Sequence, residues 1–371
     1  MFICIKVFNM GILSTKRIGI VLALVWLGIM VYLWFPNLLP GFASKNKNVD
    51  RGIYRAELFQ MMRMNVSNMT DAVHVCITSD KDTVGGMIAL INSIYTHSKH
   101  PVFFHLVTDE QSVEHARTWI KETKLHDIIY EMKAFPSKWV EGKIKLRGGR
   151  PELGEPLNYA RYYLPRLFPD LNGKVVFIDD DSIVQADVYE LSQVNLRHGN
   201  IAAFSSDCTG GSKRLTMRKN IYADYIDFKN KKVKELNISP TECSFNTGVF
   251  VTDFDLWRKE NITQKLEYWL ELNTREEVYG NEIGGGGSQP PMMLVFYRNY
   301  TQLEPNWNIR YLGLTPGTSY TKSFLKEAKL IHWSGTFKPW GRTAQHSDIW
   351  DKYYIQDPSG KFEPIRRYNK G

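Results

Sequence analysis

From residue 72 the chain alternates short apolar runs with amphipathic stretches. AVHVCIT (72–78) predicts a buried strand, VGGMIALINSIY (84–95) a helix with Met87, Ile88, Ile91, Ile94 and Tyr95 on its apolar face, and VFFHLVT (102–108) a second strand. QSVEHARTWIKE predicts the next helix and IIYEMK (128–133) a third strand. This βαβαβ opening implies an α/β chain with a mostly parallel sheet and helices on its faces. Residues 137–156, rich in Gly, Lys and Arg, predict a mobile loop before a helix over NYARYYLPRLF (158–168). Val175 to Ile178 predict a further strand, QADVYELSQV a short helix, and NIAAFSSDC a strand ending at Asp207. In CSFNTGVFVTDFDLW, a turn at Asn246, Thr247 and Gly248 leads into a strand at Val249 to Val251, and Asp255 begins a helix. Gly284 to Gly287 read as a flexible connector or an active-site loop, followed by a buried MMLVFY. Gly85 and Gly86 do not make a G-x-G-x-x-G fingerprint, so a dinucleotide-binding fold is not expected.

The N-terminal pattern is different. Lys16 and Arg17 precede IGIVLALVWLGIMVYLWF (18–35), an uncharged run of 18 residues that Pro36 ends. At about 1.5 Å per residue it spans roughly 27 Å, close to the hydrocarbon thickness of an endoplasmic-reticulum membrane. Trp26, Tyr32 and Trp34 fill the half where a cleaved signal peptide needs small residues, so a retained signal-anchor is expected. The adjacent basic pair favours a cytoplasmic tail (1–17), a lumenal stem (36–71) and a lumenal domain (72–371). The expected address is the Golgi or endoplasmic-reticulum membrane. Sequons at Asn65, Asn68, Asn237, Asn261 and Asn299 fit it.

The net charge of +8 changes little. Residues 1–51 hold six basic residues and one acidic, leaving only +3 for the rest, so the pI of 9.1 does not argue for nucleic-acid binding. Cys76 sits in an expected strand as a buried thiol, and Cys208 and Cys243 can pair in an oxidising lumen if their separation allows it.

The candidate chemistry starts at KVVFIDDD (174–181), where a buried strand runs into three carboxylates. Such groups repel one another and resist desolvation, which a cation between them relieves. Alternation puts Asp179 and Asp181 on one side and Asp180 on the other. Two carboxylates leave positions open, as suits Mg²⁺ or Mn²⁺ shared with substrate phosphates. Ser79 and Asp80 follow the first strand at the sheet edge where ligands collect. Arg161 can reach a sugar or phosphate, and Asn246 offers the donor and acceptor that sugar hydroxyls require. In KLIHWSGTFKPW (329–340), His332 offers an imidazole to a metal and Lys338 a charge to a phosphate.

VVFIDDDSIVQADVYEL, SFNTGVFVTDFDLW and HWSGTFKPW, in this order, resemble the three signature blocks of family 8 glycosyltransferases, and residues 72–371 resemble the animal glycosyltransferase 8 domain-containing proteins. The resemblance implies a GT-A fold, a single Rossmann-like α/β unit with a nucleotide-binding first half and an acceptor-binding second half. It implies a UDP-sugar donor, Mn²⁺ (or Mg²⁺), and hexosyl transfer with retention to a glycan, glycoprotein or glycolipid. Asp179, Asp181 and His332 match the metal ligands, and Gly335 and Lys338 the diphosphate contacts. Thr78, Ser79 and Asp80 fall where the first strand approaches the uridine, with Asp180 beside them on the donor side. Arg161, Asp207, Asn246 and Gly248 match positions around the donor and its sugar. The implied catalytic set is Arg161, Asp207, Asn246, Gln289 and Lys338. The family often has Asp-Gln where this chain has Ser288 and Gln289, which removes a carboxylate nucleophile and weakens double displacement. A second class, a non-catalytic lumenal nucleotide- or glycan-binding protein on the same scaffold, rests on that serine. A phosphohydrolase fits the HWSGTFKPW block poorly.

Overall fold

A computed structural model of the chain describes residues 72–366, apart from 149, 198, 209–219, 281–286 and 315–319. They belong to one unit, Asn65–Gly371. The anticipated tail, anchor and stem, with Asn65 and Asn68, lie outside the described residues, as does most of the four-glycine loop. Among the described residues no helix is long and apolar enough to cross a membrane.

Seven strands form one sheet in the order β3-β2-β1-β4-β7-β6-β8. They are β1 (Val73–Ser79), β2 (Val102–Thr108), β3 (Ile129–Ala134), β4 (Lys174–Ile178), β6 (Ala202–Ser206), β7 (Phe245–Asp253) and β8 (Tyr300–Gln302). β5 (Ser182–Val184) and β9 (Leu330–His332) form a separate antiparallel pair. The first three strands and β4 run parallel, but β7 lies antiparallel between β4 and β6, so the sheet is mixed rather than mostly parallel. Val175, Val176, Phe177 and Ile178 are all buried, as a central strand covered on both faces requires.

Helix α1 (Val84–His97) is buried around most of its circumference, not on one face alone. A Cβ on Gly85 would overlap Phe362, and the Asn92 amide donates to the Tyr353 carbonyl, so the C-terminal segment covers the side that the sheet does not. Tyr95 is only partly buried. Helix α2 (Ser112–Lys121) matches its anticipated span within a residue.

Three local expectations fail for identifiable reasons. NYARYYLPRLF forms a 3-10 segment, Pro156–Tyr162, and then a short helix, Leu164–Leu167, because Pro165 has no N–H with which to continue an α-helical ladder. Asn246, Thr247 and Gly248 are not a turn but lie at the start of β7, where the register against β6 jumps from Phe204–Phe250 to Ser205–Asn246 and the extra residues bulge from β7. Residues 137–156 are tied down. Lys143 pairs with Glu267 at 2.7 Å, Lys145 donates to the Thr274 carbonyl at 3.2 Å, and Arg147 donates to the Asn273 and Glu276 carbonyls at 2.8 and 2.7 Å. The last two residues thereby cap helix α3 (Ile262–Arg275) at the end where carbonyls lack intrahelical partners.

Cys208 and Cys243 form a disulfide with a Cα separation of 5.8 Å, and Cys76 is a buried free thiol. Asn237, Asn261 and Asn299 are exposed.

His74, His105 and Glu131 form a chain across β1, β2 and β3, with contacts of 2.9 and 2.6 Å. Burial, then the neighbouring His105, push His74 down from 6.5 to about 4. A neutral imidazole is favoured only in the folded state, so this stability is present above pH 6.5 and is lost as pH falls toward 4. Unfolding free energy should drop by roughly 2 kcal/mol between pH 7 and pH 5 from this group, and His74→Gln should flatten that dependence in denaturant titrations.

Candidate active site

β4 and the strands on either side of it gather the site. Because β7 is antiparallel to β4, its start lies beside β4's carboxyl end, where the Asp179 N–H donates to the Gly248 carbonyl at 2.7 Å. β6 is antiparallel to β7 and brings Asp207 to the same edge. β1 delivers Thr78, Ser79 and Asp80, while β9, pairing Ser182 with His332, carries the C-terminal block over the carboxylates. These residues line a cavity of about 510 Å³, a normal volume for a small-molecule site.

Ligand atoms of Asp179, Asp181 and His332 all lie within 4.8 Å of one another. His332 Nε2 is 3.1 Å from Asp181 Oδ1 and 4.0 Å from Asp179 Oδ2. The hydrogen-bond network assigns the imidazole tautomer. Gly248 N–H can only donate, and it donates to Asn246 Oδ1 at 3.0 Å, which orients that amide. The same oxygen accepts from Asn308 Nδ2 at 2.9 Å, so Asn308 turns its Oδ1 to His332 Nδ1, also at 2.9 Å. His332 therefore carries its proton on Nδ1 and aims the Nε2 lone pair at the carboxylates. Asp181 Oδ1 is buried without a hydrogen-bond partner. Lone pairs facing one another in a buried cleft fit a divalent cation, and a histidine donating its other N–H to an amide is the usual support for such a ligand.

The surrounding charges are arranged for these ligands. Each nitrogen of Arg161 is engaged, Nη2 with Asp179 at 2.8 Å, Nη1 with the Thr247 carbonyl at 2.8 Å and Nε with the Asn158 carbonyl at 3.1 Å, while its guanidinium stacks over Phe177. Lys338 Nζ contacts Asp181 Oδ2 and donates to the Trp333 carbonyl at 3.0 Å. Burial pushes the Asp179 carboxyl up against the pull of Arg161. Burial acts the same way on Asp181, but the Lys338 ammonium outweighs it and holds that carboxyl well below the usual range. Asp180 turns to Ser79 and Thr83, as alternation predicts, and burial followed by Asp181 raises it far above the ordinary value. Asp80 accepts from the Asp82 and Thr83 N–H groups, and burial raises it too.

Two glycines are required by space. A Cβ on Gly248 would stand 2.3 Å from the His332 ring and 2.7 Å from Asp179 Oδ2. A Cβ on Gly335 would stand 2.1 Å from the Gly313 backbone, which holds the Ser334–Lys338 segment against the chain. On the far side, Asp207 pairs with Arg310 Nε at 2.8 Å and accepts from Ser244, and Asn246 Nδ2 donates to Gln289 Oε1 at 3.3 Å. Ser288 is buried on the cavity wall, and its carbonyl accepts from the Tyr162 hydroxyl. All the anticipated site residues except Gly335 line the cavity.

A model described as Glycosyl transferase family 8 matches residues 74–344. The chain belongs to that family. Human glycosyltransferase 8 domain-containing protein 1 is 36% identical over 367 residues, covering 96% of this chain and 99% of the relative. The protein of that name from Danio rerio is 41% identical over 303 residues, covering 80% and 82%. A crystal structure of galactosyltransferase LgtC in complex with donor and acceptor sugar analogs superposes with a TM-score of 0.57 at 15% identity, covering 78% of this chain and all of that one. The family 8 domain therefore has a GT-A-like α/β fold, and its Asp179, Asp181 and His332 cluster is that of a divalent-metal-dependent nucleotide-sugar transferase.

Asn308 and Arg310 escaped the motif reading. They alternate with buried Trp307 and Ile309 in PNWNIRYL, so both polar side chains fall on one side of an extended segment. That alternation was the available signal. Asn308→Ala should weaken Mn²⁺ binding by about 10–100-fold with little loss of secondary structure, because it frees the tautomer of His332. Titration of the ion's paramagnetic signal measures this, and unchanged affinity would refute the relay.

Proposed function

We propose that the protein is a type II membrane enzyme of the Golgi or endoplasmic reticulum that transfers a hexosyl group from a UDP-sugar to a hydroxyl of a glycan, glycoprotein or glycolipid, with Mn²⁺ (or Mg²⁺) and with retention. The observation that carries this reading is the convergence of two carboxylates, an imidazole lone pair and the Lys338 ammonium in one cavity. A binding protein on this scaffold has no need of so complete a set. Membrane attachment is supported by the apolar run 18–35 with Lys16 and Arg17 before it, and glycosylation by the sequons, of which Asn237, Asn261 and Asn299 are exposed.

Asp179, Asp181 and His332 would hold the cation, which when bound supplies charge neutralisation at the diphosphate. Arg161 holds Asp179 in place, and Lys338 is positioned for the departing phosphate. Thr78, Ser79, Asp80 and Asp180 form the nucleotide side, while Asn246 and Gln289 present amides to sugar hydroxyls. The residues assigned to the sugar offer no uncommitted carboxylate. Ser288 has none, and Asp207 is engaged by Arg310 and Ser244. That favours attack on the face from which UDP leaves. The bond from the anomeric carbon to the phosphate oxygen breaks with its electron pair on the phosphate, the acceptor oxygen bonds to the carbon, and the acceptor proton passes to the β-phosphate.

The test is calorimetric titration of the full chain in detergent with UDP and a panel of UDP-sugars, with and without Mn²⁺. Metal-dependent binding, with one sugar bound more tightly than UDP, is expected and names the donor. A chain that binds no uridine nucleotide under either condition is not this enzyme.

A further inference from the structure

Asp224 and Tyr225 are adjacent residues on the cavity wall whose hydrogen-bonding capacity is unspent. Asp224 Oδ2 accepts from the Ile221 N–H at 2.9 Å, and Oδ1 has no partner among the described residues. None of the cations lining the cavity serves it, since Arg161 holds Asp179, Arg310 holds Asp207, Lys338 contacts Asp181, and Arg150 lies against Thr336 and Glu152. Tyr225 has the opposite surplus. Its phenol oxygen accepts from Asn220 Nδ2 at 3.0 Å and lies beside the Gln289 amide, whose own oxygen is taken by Asn246. Its proton therefore has no acceptor among the described residues. Burial, then Asp207, push this phenol up, which keeps the proton in place. A free acceptor next to a free donor, both half-buried, is what sugar hydroxyls require.

The pair is held firmly. Around the 3-10 turn Tyr222–Asp224, the Tyr222 and Ala223 N–H groups donate to the Glu242 and Pro240 carbonyls at 3.0 and 2.9 Å, the buried Tyr222 gives its hydroxyl proton to the Met293 carbonyl, and the Tyr225 carbonyl accepts from Gly280 at 3.1 Å.

The site's own network tells which end of a donor this wall faces. From the metal ligand His332, contacts run through Asn308, Asn246 and Gln289 to Tyr225, so the pair stands at the end of the chain remote from the cation. On the UDP-sugar reading, on which this inference rests, the anomeric carbon is attached to the phosphate at the metal. The opposite edge of the ring then meets Asp224 and Tyr225, and the reaction at the anomeric carbon proceeds without them. We propose that these two residues bind hydroxyls at that far edge, the one on C6 included, and select a neutral hexose over a uronic acid. A carboxylate accepts from a hydroxymethyl group and repels a C6 carboxylate that no nearby cation offsets.

Calorimetric titration of the full chain in detergent with Mn²⁺ tests this, using UDP and two matched pairs, UDP-glucose with UDP-glucuronate and UDP-galactose with UDP-galacturonate, whose members differ only at C6. In the pair that holds its preferred hexose, wild type should bind the neutral member about tenfold more tightly. Asp224→Asn, which keeps an oxygen for the Ile221 N–H, should leave UDP affinity unchanged and bring that ratio close to one. Tyr225→Phe should weaken the neutral member by about fivefold, again with UDP unchanged. A ratio that Asp224→Asn does not move, a wild type that favours the uronate, or a loss that falls on UDP as heavily as on the UDP-sugars would overturn the assignment and leave the transferase reading intact. A wild-type chain that binds no uridine nucleotide overturns both.

Discussion

Asp181→Asn is expected to abolish metal-dependent nucleotide binding and to lower transfer by at least about a thousandfold, because charge stabilisation by the metal is worth several kcal/mol. The substitution preserves shape, so packing is not the cause. It replaces the carboxylate that Lys338 holds ionised and that faces the His332 lone pair with a neutral amide, the weaker ligand. It also leaves Lys338 without its anionic partner, which alters the cation positioned for the phosphate. The readout besides activity is thermal unfolding. Mn²⁺ should raise the wild-type midpoint through preferential binding to the folded state and should not move that of Asp181→Asn. A variant still stabilised by Mn²⁺ and still binding UDP would show that the ion sits elsewhere.

Part of this site was legible because its signals are local. Three aspartates at the end of an apolar run announce a strand that opens onto solvent, and the HWSGTFKPW block carries its histidine, glycine and lysine in one stretch. That these meet depends on Ser182 pairing with His332, which no local pattern fixes. The carriers of order between the motifs were less visible. Asn308 acts only because Ile309 bridges Ile331 and brings it under the imidazole. Asn-Thr-Gly has turn propensity, yet pairing with β6 on both sides of a bulge in β7 draws it into a strand, an instance of tertiary structure overriding local preference. The basic loop looked solvated because its partners are carbonyls and glutamates of α3, more than a hundred residues downstream. Alternation did assign Asp180 correctly, since side-chain period is a local property of a strand.

Arg310→Met should cost about 3–5 kcal/mol of stability and remove activity together. Arg310 is 2% exposed, and its guanidinium meets Asp207, Ser205 and the Ser206 carbonyl. A methionine fills similar volume but leaves the Asp207 carboxylate buried with Ser244 alone to support it. Removing one partner of a buried pair is worse than removing both, since the penalty is the uncompensated charge. Arg310→Met combined with Asp207→Asn should therefore recover a large share of the stability, while activity stays low because the sugar side has lost its fixed acceptor. Denaturant titration of the two single variants and the double variant gives the coupling energy directly. The Cys208–Cys243 disulfide joins the residue after Asp207 to the residue before Ser244, and the Tyr311 hydroxyl, next to Arg310, donates to the Asp207 carbonyl at 3.2 Å, so three segments are held as one wall. A single Arg310→Met variant within about 1 kcal/mol of wild type would mean that Asp207 is neutral and that the pair does not organise the sugar subsite.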